Sequence, residues 1–504
     1  MRRLTRASLS PPRTHHWAAA ASALSSRSVC RKFAATPRRR SGSYERQWTT
    51  PLAKQLCEAI TTTGPVPLAS FMRMCLTGDV GGYYSGALLG REACGGGRDH
   101  FGAKGDFVTS PEISQVFGEL VGLWLVSEWI SQARPQCGVQ LIEVGPGRGT
   151  LMDDMLRTIS RFPPMAAAID SVFLVEASPD LREAQKSLLC GLDAPCTESC
   201  VGRHSTGKRL GSPIVWTETI KSIPIEADKM PLIVAHEFFD ALPIHTFQSA
   251  PSPSATSSTP DAAAAGAVNV SPPAMEWREM MVSQSPPFLF DTAAQPGAEH
   301  PAEFQLVLSS GTTRHSRYLP ESSPRYRKLK QTPDSVIEIC PDASLHAADF
   351  ATRIGGSPKH PKPHPKGAAL ILDYGPLDTV PTNSLRGIRH HRLVSPFSSP
   401  GLVDLSADVD FTALAENATR ASDGVEVHGP VPQADFLELM GIRERAKTLA
   451  ESAEMGAVEN IHKAWKRLVD RGPDGMGKVY KVLAILPEND GRRRPVGFGG
   501  DVRV

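Results

Sequence analysis

Three short groups of residues carry the types and spacing that chemistry needs. The first is Glu143-Val-Gly145-Pro-Gly147-Arg148-Gly149, directly after the apolar run VQLI. Glycine at every second position lets the backbone turn tightly and lets a ligand approach with no Cβ in the way. The helix predicted to follow offers free N–H groups and the positive end of its dipole. The second is Glu176, at the end of the next apolar run, VFLV. The third is VAHEFFDALP, in which His236, Glu237 and Asp240 follow another apolar run.

A loop of this form holds a nucleotide-like ligand. A dinucleotide fingerprint is G-x-G-x-x-G, with pyrophosphate on the helix end. Here the spacing is G-x-G-x-G, and Thr150 stands where a dinucleotide loop needs glycine. Glu143 would also repel a pyrophosphate and suits a cation. S-adenosylmethionine fits better, because it carries an ammonium and a sulfonium and no phosphate. Glu176 is placed to accept both ribose hydroxyls of its adenosine, by the geometry of dinucleotide folds.

Strand ends in open α/β sheets face the ligand crevice. Glu237 and Asp240, just past such a strand, make an electronegative pocket suited to a guanidinium. Glu237 could pair with it bidentately. Asp240 serves equally well as a cap on the next turn, and His236 as a packing histidine. Asp404, Asp408 and Asp410 in SPGLVDLSADVDF are a second acidic wall or solvated loop charges.

The elements that must position these residues alternate. VQLIEV, VFLVEA, PIVWT, PLIVAHEF and AALILDYG are short apolar runs of the kind that form parallel strands buried on both faces. TLMDDMLRTIS and PDLREAQKSLL lie between them as helices, so the fold class is α/β, doubly wound and mostly parallel. EWREMMV, FQLVLS and KVYKVLAILP are further strands. Upstream, TTPLAKQLCEAI reads as a helix capped by Thr49 or Thr50, and VPLASFMRMCL as a second. In GDFVTSPEISQVFGELVGLWLVSEWI, Ser110 is the expected N-cap, with Pro111 and Glu112 in the first turn. That helix is expected to lie over the cofactor, its N-terminus and Ser110 facing the methionine carboxylate.

Net charge is +2 on 504 residues, which gives no case for nucleic acid as a partner. The hydrophobic content of 40% allows a large core. The nine cysteines lack a disulfide-framework spacing. Cys196, Cys200 and His204 sit in a polar stretch without a fourth ligand, and an ordinary loop is expected there rather than metal. Residues 1–44 contain no Asp or Glu and many Arg and Ser, the composition of a mitochondrial presequence. No apolar run spans a bilayer, so no stable membrane insertion is expected. Residues 45–135 read as an N-terminal helical region and 136–487 as the catalytic core. Within the core, 190–213, 249–275 and 354–366 read as disordered or loose inserts, and 488–504 as a disordered tail.

Taken with these motifs, the chain resembles the MidA-like mitochondrial complex I assembly methyltransferases. The matching segments include GDFVTSPEISQVFGELVGLWLVSEW, LIEVGPGRGTLMDDMLR, VFLVEASPDL, VAHEFFDALPIHTF, IEICPDA, ALILDYG, RGIRHHRLVSPFSSPGLVDLSADVDF and MGKVYKVLAILP, in the family's order from roughly residue 75 to 487. The resemblance implies a class I methyltransferase (Rossmann-like) sheet with added elements and a location in the mitochondrial matrix. It implies S-adenosylmethionine-dependent symmetric dimethylation of an arginine on a core subunit of complex I. Gly145, Gly147 and Gly149 match the family's cofactor loop, Glu176 its ribose-binding acid, and Glu237 and Asp240 its acceptor site. The three inserts depart from the family pattern. Two other function classes remain open on the residues alone, a non-catalytic assembly factor that binds the cofactor and an NAD-linked oxidoreductase; the glycine spacing disfavours the second.

Overall fold

The computed structural model describes residues 48–85, 106, 108–252, 274–286, 302–451 and 453–499. A nine-stranded sheet forms its centre. In spatial order it runs β16 (Val425–Pro432), β17 (Tyr480–Pro487), β12 (Ala368–Tyr374), β7 (Met230–His236), β2 (Val139–Val144), β3 (Ile169–Val175), β6 (Pro213–Thr217), β5 (Arg203–Thr206) and β4 (Thr197–Glu198). The five strands from β12 to β6 are parallel to one another. β17 runs antiparallel between β12 and β16. β2 is first in sequence of these five, with β3 and β6 on one side and β7 and β12 on the other. The order therefore reverses between β2 and β7, and a ligand crevice opens at such a switch point.

Burial on both faces explains the apolar runs. All six residues of β2 and all seven of β7 are buried. Alternate residues go to opposite faces. One face packs on α4 (Gln115–Ser131), α5 (Thr150–Ile159), α6 (Pro163–Ala168), α7 (Pro179–Leu189), α12 (Gln433–Leu439), α13 (Ile442–Glu451) and α14 (Met455–Val469). The other packs on α10 (Pro341–Gly355) and α11 (Phe411–Ala421). In α4, Gly118 and Gly122 lie against α5, where a Cβ would meet Asp154 at 2.5 Å and Met155 at 3.1 Å.

A second sheet joins β1 (Val66–Pro67), β8 (His245–Pro251), β9 (Met275–Gln284), β10 (Phe304–Leu308) and β11 (Val336–Ile339). The helices α1 (Pro51–Thr63) and α2 (Leu68–Thr77) share a core with it, and α8 (Arg314–Tyr318) and α9 (Pro324–Leu329) pack beside it. A small third sheet holds β13 (Arg386–Arg389), β14 (Arg392–Val394) and β15 (Asp404–Ser406). No helix among the described residues is long and apolar enough to cross a membrane. The cysteines described are free thiols.

Several expectations need correction. Ser110 is not the N-cap of the long helix. A four-residue helix α3 (Ser110–Ile113) forms first, and the chain is extended again at Ser114, whose hydroxyl accepts the Val116 N–H and caps α4. Residues 190–213 are not loose, because β5 and β4 extend the sheet past β6 by antiparallel pairing. Residues 354–366 are ordered around a buried ammonium: Lys362 Nζ donates to the carbonyls of Lys229, Arg353 and Lys366. That satisfies its three donors. In 488–504, Phe498 packs on Phe436 and the Trp124 indole donates to the Val496 carbonyl. Within 249–275, Pro251 pairs with Met275 across β8 and β9, and residues 253–273 lie outside the described residues. Residues 1–44, expected to be a presequence, also lie outside them.

Candidate active site

The carboxyl ends of β12, β7, β2, β3 and β6 open on one cavity of about 320 Å³. Its wall contains Glu143, Gly145, Gly147, Glu176, Glu237 and Asp240. The fold thus brings these six residues together, as the sequence predicts, while Gly149 and Ser110 are not in the wall. Gly149 is the N-cap of α5, with φ 84°, where a Cβ would press on Gln185 at 3.2 Å. Ser110 is fully buried, and its backbone N–H is close enough to the Glu237 carboxyl to oppose the rise in its pKa, so Ser110 stands beside Glu237.

The glycine loop leaves β2 at Gly145, φ 71°, where a Cβ would meet the Phe238 ring at 2.9 Å. Gly147 has φ 53°, and its carbonyl accepts a 2.6 Å hydrogen bond from Gln185 Nε2. The same Gln185 Nε2 reaches Glu176 at 3.4 Å, while its Oε1 accepts from the Trp216 indole at 3.0 Å. Gln185 therefore ties the loop to Glu176. Arg148 pairs with Glu112 at 3.5 Å, joining the loop to α3.

The turn after β7 is set by a residue the motif did not reveal. Asp373, buried at the end of β12, accepts the N–H groups of Phe238 (3.1 Å), Phe239 (2.8 Å) and Asp240 (3.4 Å) on one carboxylate oxygen. Glu237 has φ 49°, a left-handed conformation that non-glycine residues take only when their surroundings impose it. Its N–H donates to the Leu372 carbonyl and its Oε1 accepts from Tyr480 Oη at 2.8 Å. Tyr480 Oη is hydrogen-bonded in turn to Tyr374 Oη. His236 lies between Phe117 and Tyr480, and burial holds its pKa down to about 3, so it is a neutral packing ring at the cavity edge.

The three aspartates of the second wall separate. Asp404 lines the cavity and accepts from Tyr84 Oη at 3.1 Å. Asp408 pairs with Arg386, whose guanidinium lies 4.9 Å from the Tyr374 ring centre. Asp410 caps α11 and binds Arg325 and Tyr326, a structural role.

This cavity is strongly acidic. Burial, with Glu176 adding to it, pushes Glu143 up to about 8. Burial raises Glu176 to about 7 against the opposing Ser178 N–H. Burial and then Asp240 raise Glu237 to about 8, and Asp404 to about 7. Burial also lifts Asp240 to about 6, with Arg386 opposing, and holds Asp373 well above the usual carboxylate range. Carboxylates so placed favour a cationic ligand. Glu143 Oε2 is buried with no hydrogen-bond partner, the orphaned acceptor an ammonium or hydroxyl would satisfy. The residues present therefore fit S-adenosylmethionine, a cation.

Residues 120–431 match the family model of S-adenosyl-L-methionine-dependent methyltransferases. The chain is 35% identical over 438 residues to the protein arginine methyltransferase NDUFAF7 homolog, mitochondrial, of Drosophila melanogaster, covering 86% of this chain and 85% of that protein. The chain belongs to the MidA-like NDUFAF7 family. Two further NDUFAF7 proteins, both named mitochondrial protein arginine methyltransferases, agree. The Xenopus laevis protein is 34% identical over 445 residues, 87% of this chain and 85% of its own. The human protein is 32% identical over 443 residues, 87% of this chain and 84% of its own. A solved Burkholderia thailandensis protein bound to S-adenosyl-homocysteine superposes with TM-score 0.59 at 20% identity, covering 89% of this chain and 92% of that one. At that identity the likeness is one of fold. The cofactor of this NDUFAF7-family methyltransferase is S-adenosylmethionine.

A pH dependence follows from the raised carboxyls. A carboxyl whose folded pKa lies above its unfolded value stabilises the fold at low pH and loses that contribution as pH rises through the folded pKa. For Glu143 and Glu176 the window is about pH 4.5 to 8. The ligand-free protein is therefore expected to lose thermal stability between pH 6 and 8. The sulfonium of S-adenosylmethionine, positive at every pH, offsets this loss. The rise in melting temperature on adding S-adenosylmethionine should be larger at pH 8 than at pH 6, and Glu143→Gln should flatten the difference. Thermal unfolding at both pH values checks it; an increment that shrinks with pH would refute the electrostatic assignment.

Proposed function

We propose that this chain is a mitochondrial matrix protein arginine N-methyltransferase that symmetrically dimethylates an arginine on a core subunit of complex I and is needed for complex I assembly. The observation that carries the arginine reading is the pair Glu237 and Asp240, two largely buried carboxylates in the wall of the same cavity as the glycine loop. A guanidinium entering between them would meet bidentate acceptors in a site poor in water, where such pairs are strong. Arg386 is hydrogen-bonded to Asp408, and its charge also acts on Asp240.

Bound S-adenosylmethionine supplies an electrophilic methyl group. The protein supplies alignment and charge. Tyr480 fixes the Glu237 carboxylate, and Asp373 fixes the turn that presents it. A guanidinium nitrogen gains a methyl and gives up one proton. Glu237, raised to about 8, is the better proton acceptor of the pair, and Asp240, nearer 6, the better permanent anion. The symmetric product, the complex I core subunit and the matrix location rest on the family resemblance and on the mitochondrial names of the relatives. Mass spectrometry of complex I subunits from cells with and without this chain tests the reading. An arginine dimethylated only when the chain is present supports it. Cofactor binding with no change in any subunit would favour a non-catalytic assembly factor.

A further inference from the structure

Away from the methyl-transfer cavity, the fold assembles a second set of groups. His245 at the start of β8, Glu279 in β9 and His315 in the first turn of α8 converge, with one ligand atom from each within 4.8 Å of the others. None of the three lines the cavity. We propose that they form a site for a divalent transition-metal ion of the zinc class.

The donor set is two imidazoles and one carboxylate, which suits such an ion. Glu279 Oε1 lies 2.8 Å from His245 Nδ1 and 3.3 Å from His315 Nδ1. Two ligands about 2.0–2.1 Å from a tetrahedral zinc stand roughly 3.3–3.4 Å apart, so the ion fits with small side-chain shifts. Glu279 is 1% exposed, and its second oxygen accepts from Thr313 Oγ1. Outer hydrogen bonds of this kind orient a ligating carboxylate. The His315 side chain is 42% exposed, which leaves a solvent side for a water as fourth ligand. The charge balance suits a dication too, since one carboxylate and two neutral imidazoles leave a net charge of +1.

The ordinary alternative is an ion-paired knot in which both imidazoles donate to one carboxylate. The two differ in what they bind. The site would tie β8, β9 and α8 together. β8 begins five residues after Asp240, so the metal would brace the exit of the acceptor turn. Cys196, Cys200 and His204 drew attention in the sequence because they are close along the chain. This cluster carries no such signal, because its three ligands come from separate segments.

The test uses the full-length protein, stripped with chelator and titrated with zinc chloride by calorimetry and thermal unfolding. One equivalent should bind and raise the melting temperature. His315→Ala, at an exposed position, should weaken that equivalent at least tenfold and leave S-adenosylhomocysteine affinity unchanged. Cobalt(II) in the wild-type protein should give visible bands of a nitrogen and oxygen site without a thiolate charge-transfer band. No bound equivalent, an unchanged affinity in His315→Ala, or a thiolate band would overturn the proposal.

Discussion

Glu237→Gln is expected to bind S-adenosylmethionine as the wild-type protein does and to transfer methyl groups about 10²–10³-fold more slowly, the loss typical of removing one preorganised electrostatic group. The substitution is nearly isosteric. The amide oxygen can still accept from Tyr480 Oη, and the backbone N–H still donates to the Leu372 carbonyl, so the φ 49° turn is kept. What is lost is the charge facing the guanidinium and the site that takes its proton. Calorimetry with S-adenosylhomocysteine and single-turnover transfer separate the two effects. Full transfer by the variant would remove Glu237 from the mechanism.

Gly147→Val is expected to weaken cofactor binding about 100-fold or more, near 2.7 kcal/mol. Gly147 sits at φ 53°, where a β-branched residue is strained by about 1–3 kcal/mol. The loop cannot easily rotate away, because the Gly147 carbonyl is held by Gln185 Nε2 at 2.6 Å. Gly147 is also part of the cavity wall. Calorimetric titration, with an unfolding curve to show that the fold survives, measures the effect. Unchanged affinity would mean that this loop does not hold the cofactor.

The parts legible in the sequence share one property. Strands buried on both faces announce themselves as apolar runs, and polar residues at their carboxyl ends point into the crevice. Glu143, Glu176 and Glu237 were all visible on that logic. Asp373 and Tyr374 end the run AALILDY in the same way and could have been read by the same rule. Tyr480 could not, because β17 is antiparallel and Tyr480 stands at its start. Gln185 gave no signal either. It is one amide on a helix of polar appearance, and its importance comes from a Trp216 indole and a Gly147 carbonyl that only the fold brings to it.

Composition alone does not show order that comes from pairing. Residues 190–213 are rich in Gly, Ser and Cys, yet β5 finds an open sheet edge at β6 and pairs with it. The stretch at 354–366 looked unable to fold, and one buried lysine with three carbonyl partners organises it. At Ser110 the helix-start pattern was real but led to a single short turn. Ser114 supplied a second cap, and the break between them is what lets the Ser110 N–H meet Glu237.

The central claim is that this cavity passes a methyl group from S-adenosylmethionine to an arginine held by Glu237 and Asp240. Its most direct test supplies S-adenosylmethionine with a deuterated methyl group and purified full-length protein to mitochondrial extract lacking the chain. Protein arginines are then read by mass spectrometry, with Glu237→Gln run in parallel. Symmetric dimethylarginine carrying the label, present with the wild-type protein and absent with the variant, is the predicted result. No labelled arginine, or equal labelling by the variant, would contradict the account.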